Sequence, residues 1–180
     1  MLCSINFSPI GLKCPNEEPV DETSSVQPAR TRPSLPPKLI AINHDEYHAA
    51  HIGRTPDGRQ FFLTTPFIPA SQGDKGREFI ALYLFDAEGC LLDAQIDHLG
   101  PRTELDPATV AQRYAQRLAA LGPVSYERIE VQPFQIECFG KAFGLVLCQP
   151  EDDDNAWWVE AQPGNYMAFA EPFDSGEYDT

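Results

Sequence analysis

Phe79-Ile80-Ala81-Leu82-Tyr83-Leu84-Phe85 is apolar at every position. Successive side chains of a strand point to opposite faces, so a run without alternation predicts a strand covered on both sides. Asp86-Ala87-Glu88-Gly89 supplies a turn. The chain then alternates over Leu91–Ile96, with Leu92, Ala94 and Ile96 inward and Asp93, Gln95 and Asp97 outward. This hairpin is expected to form the centre of the fold. One helix is expected over 106–122: Asp106 is a good N-cap, Pro107 suits the first helical position, and Gly122-Pro123 stops the run. Within it Val110, Tyr114, Leu118 and Leu121 recur at helical spacing and form one apolar stripe suited to docking on a sheet, with Arg113 and Arg117 on the other side.

Working outward, Ile52–Thr55 and Gln60–Thr65 flank Pro56-Asp57-Gly58-Arg59, the pattern of a second hairpin, since Asp-Gly supplies the positive φ of a tight turn. Tyr126–Val131, Phe134–Phe139, Phe143–Cys148, Trp157–Gln162 and Tyr166–Ala170 read as further strands, separated by Gly, Pro and polar breaks. The fold class that results is α+β: a mostly antiparallel sheet of about seven to eight strands with one main helix packed on it. Seven of the 17 prolines lie in the first 37 residues, so 1–43 is expected to be a Pro-rich disordered tail. Residues 44–170 are expected to form a single domain and 171–180 a loose acidic end. A length of 180 residues suits one core.

The charge is lopsided. Residues 1–141 hold 18 Asp and Glu against 13 Lys and Arg, and no Lys, Arg or His follows Lys141. The last 39 residues add nine carboxylates, bringing the net charge to −14. Binding to nucleic acid or an anionic membrane relies on clustered Lys and Arg, so neither is expected as a partner. No apolar run approaches the roughly 18–20 residues that span a bilayer. Met1-Leu2-Cys3-Ser4-Ile5 has neither the basic start nor the apolar stretch of a secretory signal. Cys3, Cys14, Cys90, Cys138 and Cys148 are odd in number and have no C-x-x-C spacing. Reduced thiols in a cytoplasmic protein are therefore expected.

Two groups of residues bear on function. In Asn43-His44-Asp45-Glu46-Tyr47-His48-Ala49-Ala50-His51, three imidazoles recur at i, i+4 and i+7. A helix capped by Asn43 and ended by Gly53 would place His44, His48 and His51 on one face, where neutral imidazoles can hold Zn²⁺. A small metal-dependent enzyme built on them, with His98 as a further member, is the alternative reading. However, Asp45 and Tyr47 depart from both helical zinc-protease patterns, and a third ligand at i+7 lies about 10 Å from the first. The plainer account is a polar connecting helix. Asp93, Asp97 and His98 are expected as solvated outward residues. Nucleophile-elbow, phosphate-loop and dinucleotide motifs are absent from the sequence, and no cofactor is expected.

The second group is Glu151, Asp152, Asp153, Asp154, Asp174 and Glu177 with Trp157 and Trp158. Carboxylates attract a basic protein, and indoles give its cations a surface to stack on. The primary expectation is a non-enzymatic acidic protein-binding module for a basic protein partner. Its β-rich, acidic character has the general look of bacterial immunity proteins, which neutralise a toxin by covering its basic surface. The likeness is one of type, and no residue is carried over from it.

Overall fold

The computed structural model describes residues 2–6, 35–149, 156–164, 166–174 and 177–178, with the backbone alone at 4–6 and 177–178. The strands among these are β1 (Leu2–Asn6), β2 (Ile40–Ile42), β3 (Ile52–Arg54), β4 (Gln60–Thr64), β5 (Phe67–Ile68), β6 (Arg77–Phe85) and β7 (Leu91–Gly100). Helix α1 (Pro107–Ala120) follows, and then β8 (Ser125–Tyr126), β9 (Ile129–Val131), β10 (Phe134–Cys138), β11 (Lys141–Cys148), β12 (Trp158–Gln162), β13 (Met167–Phe169) and β14 (Glu177–Tyr178). A seven-stranded main sheet runs β1-β7-β6-β4-β3-β8 with β5 beside β6, a second sheet runs β10-β11-β12-β13-β14, and β2 pairs with β9. Every pairing is antiparallel. The α+β class with a mostly antiparallel sheet and one main helix is therefore the architecture found.

The apolar run of β6 is buried on both faces, as its lack of alternation implies. Phe79, Ala81, Tyr83 and Phe85 join Phe62, Ala94, Ile96, Phe143, Leu145, Val159 and Phe169 in a large core between the main and second sheets. Ile80, Leu82 and Leu84 join Phe61 and Leu63 in a smaller core under α1. There Val110, Tyr114, Leu118 and Leu121 pack on the sheet, yet no residue of the helix is fully buried. Asp106 caps α1 through the amides of Ala108 and Thr109 at 3.3 and 3.1 Å and the Thr109 hydroxyl at 2.6 Å. Among the described residues, no helix is long and apolar enough to cross a membrane.

The β2–β9 pair is tied in by a buried glutamine. Gln60 offers Glu130 both halves of a strand-like pairing: its Oε1 accepts the Glu130 amide at 2.9 Å and its Nε2 donates to the Glu130 carbonyl at 2.9 Å. In the second sheet, Gly144 has φ 127°, and a Cβ there would stand 2.5 Å from the Phe134 carbonyl oxygen and 2.7 Å from its ring. Its absence lets Phe134 lie against Tyr83 and Phe85, with ring centroids 5.0 and 5.5 Å apart.

Several expectations need correction. Ile40–Ile42, assigned to the tail, is a fully buried strand, because three apolar residues pair with Ile129–Val131 against the inter-sheet core. Leu2–Asn6 forms the edge strand beside β7, while residues 7–34 of the expected tail lie outside the described residues. Cys3 and Cys138 are joined in a disulfide, whereas reduced thiols were expected. Pairing of β1 with the main sheet brings Cys3 against the edge of the second sheet, a proximity invisible in the spacing of cysteines along the chain. A register shift between Leu84 and Phe85 puts Leu91, in place of Leu92, against the core. The expected strand Tyr126–Val131 is divided, its first part joining the main sheet and its second the β2 pair. Residues 171–174 of the expected loose end are held by backbone bonds: Phe173 N–H donates to Ala170 at 2.7 Å, and Ala41 N–H donates to Phe173 at 2.8 Å.

Arg117 does not point away from the sheet. Its guanidinium forks onto Asp97 at 2.7 and 3.0 Å and also donates to Gln95. Position 117 borders the apolar stripe, and its long stem reaches the polar positions of β7 that lie beside the small core. Asp97 is consequently a paired, largely covered group and not a solvated one, with its side chain 13% exposed. His98 faces the opposite way, between the rings of Phe79 and Phe139 at 5.3 and 5.4 Å. Burial lowers its pKa, and the Arg77 guanidinium adds to the effect.

Candidate functional site

The histidine segment 44–51 is a turn, not the expected helix. Asp45 is the reason: one carboxylate oxygen accepts the amides of Tyr47 at 2.6 Å and Ala49 at 2.9 Å, and the Asp45 N–H donates to Ala49 O at 3.4 Å. Side-chain bonds of this kind compete with the helical ladder and win here. His44 and His51 both pack on Tyr126, with ring centroids 5.7 and 5.6 Å away, whereas His48 packs on other rings. His44 Nε2 lies 3.2 Å from the Ala50 carbonyl. His48 packs on Tyr47 and Tyr166 at 4.2 and 5.5 Å. His51 Nδ1 lies 2.9 Å from the Tyr114 hydroxyl, which donates to Leu63 O at 3.2 Å. Burial lowers the pKa of His48 against the opposing pull of Asp45, and lowers that of His51 with help from His44. Among the described residues, no three His, Cys, Asp or Glu side chains are grouped so as to hold an ion.

The second sheet has one face in the inter-sheet core and one open. Ile136, Cys138, Phe143, Leu145, Val159, Ala161, Met167 and Phe169 fill the core side. Gln135 and Glu137 of β10, Val146 and Cys148 of β11, and Trp158, Glu160 and Gln162 of β12 alternate onto the other. Helix α1 lies on the main sheet, so among the described residues no helix covers this face. At its centre, Glu160 Oε1 accepts the Trp158 indole N–H at 2.8 Å and Oε2 accepts the Gln162 amide at 3.0 Å. The cross-strand neighbours of Glu160 are Val146 and Ala168, neither of which offers a donor on its side chain. On β10, Gln135 donates to Glu137 at 3.2 Å in the same i, i+2 manner. The Cys148 thiol, opposite Trp158, is pushed up to about 11 by burial and by Glu160, so it stays protonated at neutral pH.

The expected acidic and aromatic residues are distributed as follows. Trp158 is half-buried on the open face, and Trp157, just before β12, is half-buried and packs against the inter-sheet core. Asp174 is exposed, and its backbone carbonyl accepts from Asn43 Nδ2 at 3.3 Å. Glu177 occupies the β14 position opposite Ala168, which places it in register with the open face. Glu151, Asp152, Asp153 and Asp154 lie outside the described residues. Sequence reading singled out neither Glu137 nor Glu160 and Gln162 as site residues. The signal was the two-residue alternation of Trp158-Val-Glu-Ala-Gln162, which becomes informative once the core face is known.

Ion pairs are unevenly spread over the described carboxylates, and Asp86 and Asp93 of the main-sheet hairpin accept from neutral donors. Elsewhere Asp57, Glu78, Asp97, Glu104, Glu127 and Glu130 each have a Lys or Arg within 4.0 Å. The outward positions of β10–β14 carry Glu137, Glu160 and Glu177 and no Lys or Arg. No protein-family model, curated protein or solved structure matches this chain.

Proposed function

We propose that the protein is a non-enzymatic, acidic protein-binding module whose open sheet face covers the basic surface of a protein partner, in the manner of a toxin-neutralising, immunity-type protein. The observation carrying this reading is the outward face of β10–β13, on which, among the described residues, Glu137 and Glu160 have no Lys or Arg within 4.0 Å and Glu160 holds the half-buried indole of Trp158. Complementary charge of this kind accelerates encounter and rejects like-charged competitors. An aromatic side chain at the centre supplies contact area at small entropic cost. By their charge alone, Glu151–Asp154 and Asp174 belong to the same proposal. The metal-enzyme reading has less behind it, since among the described residues the 44–51 turn groups no three side chains that could hold an ion.

The test is to capture partners from the native cell with the native chain and with a Glu137→Gln/Glu160→Gln/Glu177→Gln variant. A basic protein held by the first and lost by the second supports the reading, and equal retention by both rejects it. The cytoplasm is the proposed compartment, and the Cys3–Cys138 bond makes that proposal open to test. Alkylation of freshly lysed cells should find both thiols reactive if the protein works in a reducing compartment, and both protected if it works in an oxidising one.

A further inference from the structure

We infer that the partner presents arginine, in preference to lysine, to the open face, and that Trp158 and Glu160 form the position that selects it. The inference rests on the binding reading above and gives the partner's contact its chemistry. Glu160 is clamped by donors on both oxygens, from Trp158 at 2.8 Å and Gln162 at 3.0 Å, so its carboxylate is already oriented before anything binds. Each carboxylate oxygen has a second lone pair. Val146 and Ala168, flanking Glu160 on the neighbouring strands, are short and apolar, and the half-exposed carboxylate has the Cys148 thiol as a further neighbour. Among the described residues, no Lys or Arg lies within 4.0 Å of this half-buried carboxylate, a condition it shares with Asp86 and Asp93, and it alone of the three has an indole hydrogen-bonded to it.

A planar guanidinium meets these constraints in a way an ammonium does not. It can donate two parallel hydrogen bonds to one carboxylate while laying its flat face on the adjacent indole. Lysine is a compact, strongly hydrated charge on a flexible stem, and gains little from an oriented carboxylate. The position therefore discriminates by shape as well as by charge.

Fluorescein-labelled nona-arginine and nona-lysine peptides, equal in formal charge, test this by anisotropy at a fixed salt concentration. The native chain should bind the arginine peptide about tenfold more tightly. Trp158→Leu and Glu160→Gln should each bring the two peptides to within about threefold of one another, while Gln135→Ala leaves the ratio unchanged. Thermal melts of each variant confirm that the fold is retained. Equal affinity of the native chain for both peptides, with both lost in the Glu137→Gln/Glu160→Gln/Glu177→Gln variant, would overturn the arginine inference and leave the binding reading standing. A preference that survives both single substitutions would also overturn it. Peptide binding that is indifferent to the triple variant would count against the open face itself.

Discussion

The two large sheets of this protein solve the same packing problem differently. The main sheet is covered on both sides, by the second sheet and by α1, and its central strand β6 is apolar from Phe79 to Phe85. The second sheet buries one side alone, and β12 alternates Trp158, Glu160 and Gln162 outward with Val159 and Ala161 inward. Among the described residues the ion pairs of the two sheets are all on the main one, although Asp93 there accepts from the neutral amide of Gln95 at 2.8 Å. Asp97 on the main sheet is forked by Arg117, and Glu78 is paired with Arg102. Glu160 on the second sheet has only neutral donors around it. A carboxylate held in place but not neutralised is suited to a charge that arrives from outside, which is why the proposed binding is assigned to the second sheet.

Substitutions that tell the two sheets apart should differ most at the inter-sheet core. Phe79 is fully buried, with Phe143 4.9 Å away edge-on. Phe79→Ala should cost about 3–5 kcal/mol in urea unfolding, whereas Trp158→Ala on the open face should cost about 1 kcal/mol or less. Equal losses would mean that the open face is packed after all. Gln60→Leu should cost about 2–3 kcal/mol, since it leaves the Glu130 amide and carbonyl without their partner. A neutral outcome would show that β2 and β9 hold without this tie.

The smallest effect is a pH dependence, and it belongs to the covered regions. Folding lowers the pKa of His48, His51 and His98. The unfolded chain therefore takes up protons first as pH falls through about 6.5. Stability is complete above that value and declines below it. The melting midpoint should drop between pH 7 and pH 5, and His48→Gln/His51→Gln should flatten the drop. A midpoint that rises on acidification would contradict the burial of these rings. No histidine follows Lys141, so the open face should contribute nothing to this titration.

Much of the fold was legible because its signals are local. The unbroken apolar run of β6, the Asp106 and Pro107 start of α1 and the Asp57-Gly58 turn each specify their own geometry. Features that depend on distant partners were not legible. Ile40–Ile42 looks like the end of a proline-rich tail until Ile129–Val131 arrives to pair with it. Asp45 reads as part of a helix start, but its carboxylate gathers two amides into a turn. Arg117 and Asp97 each read as solvent-facing in isolation and meet only when α1 docks. On the candidate site, the preference for acidic and aromatic residues near the carboxyl end singled out Trp158 and Glu177, while the proposal adds Glu137 and Glu160. Their role depends on which side of each strand the core occupies, and that is decided by the opposing sheet.

The chain contains two tryptophans, one against the core and one on the open face, and this permits a direct test. Their indole N–H signals can be followed by ¹H–¹⁵N correlation spectroscopy while nona-arginine peptide is added. Docking on the second sheet predicts that the Trp158 signal, hydrogen-bonded to Glu160, moves far more than that of Trp157. A titration that saturates with the Trp158 signal unmoved would contradict it.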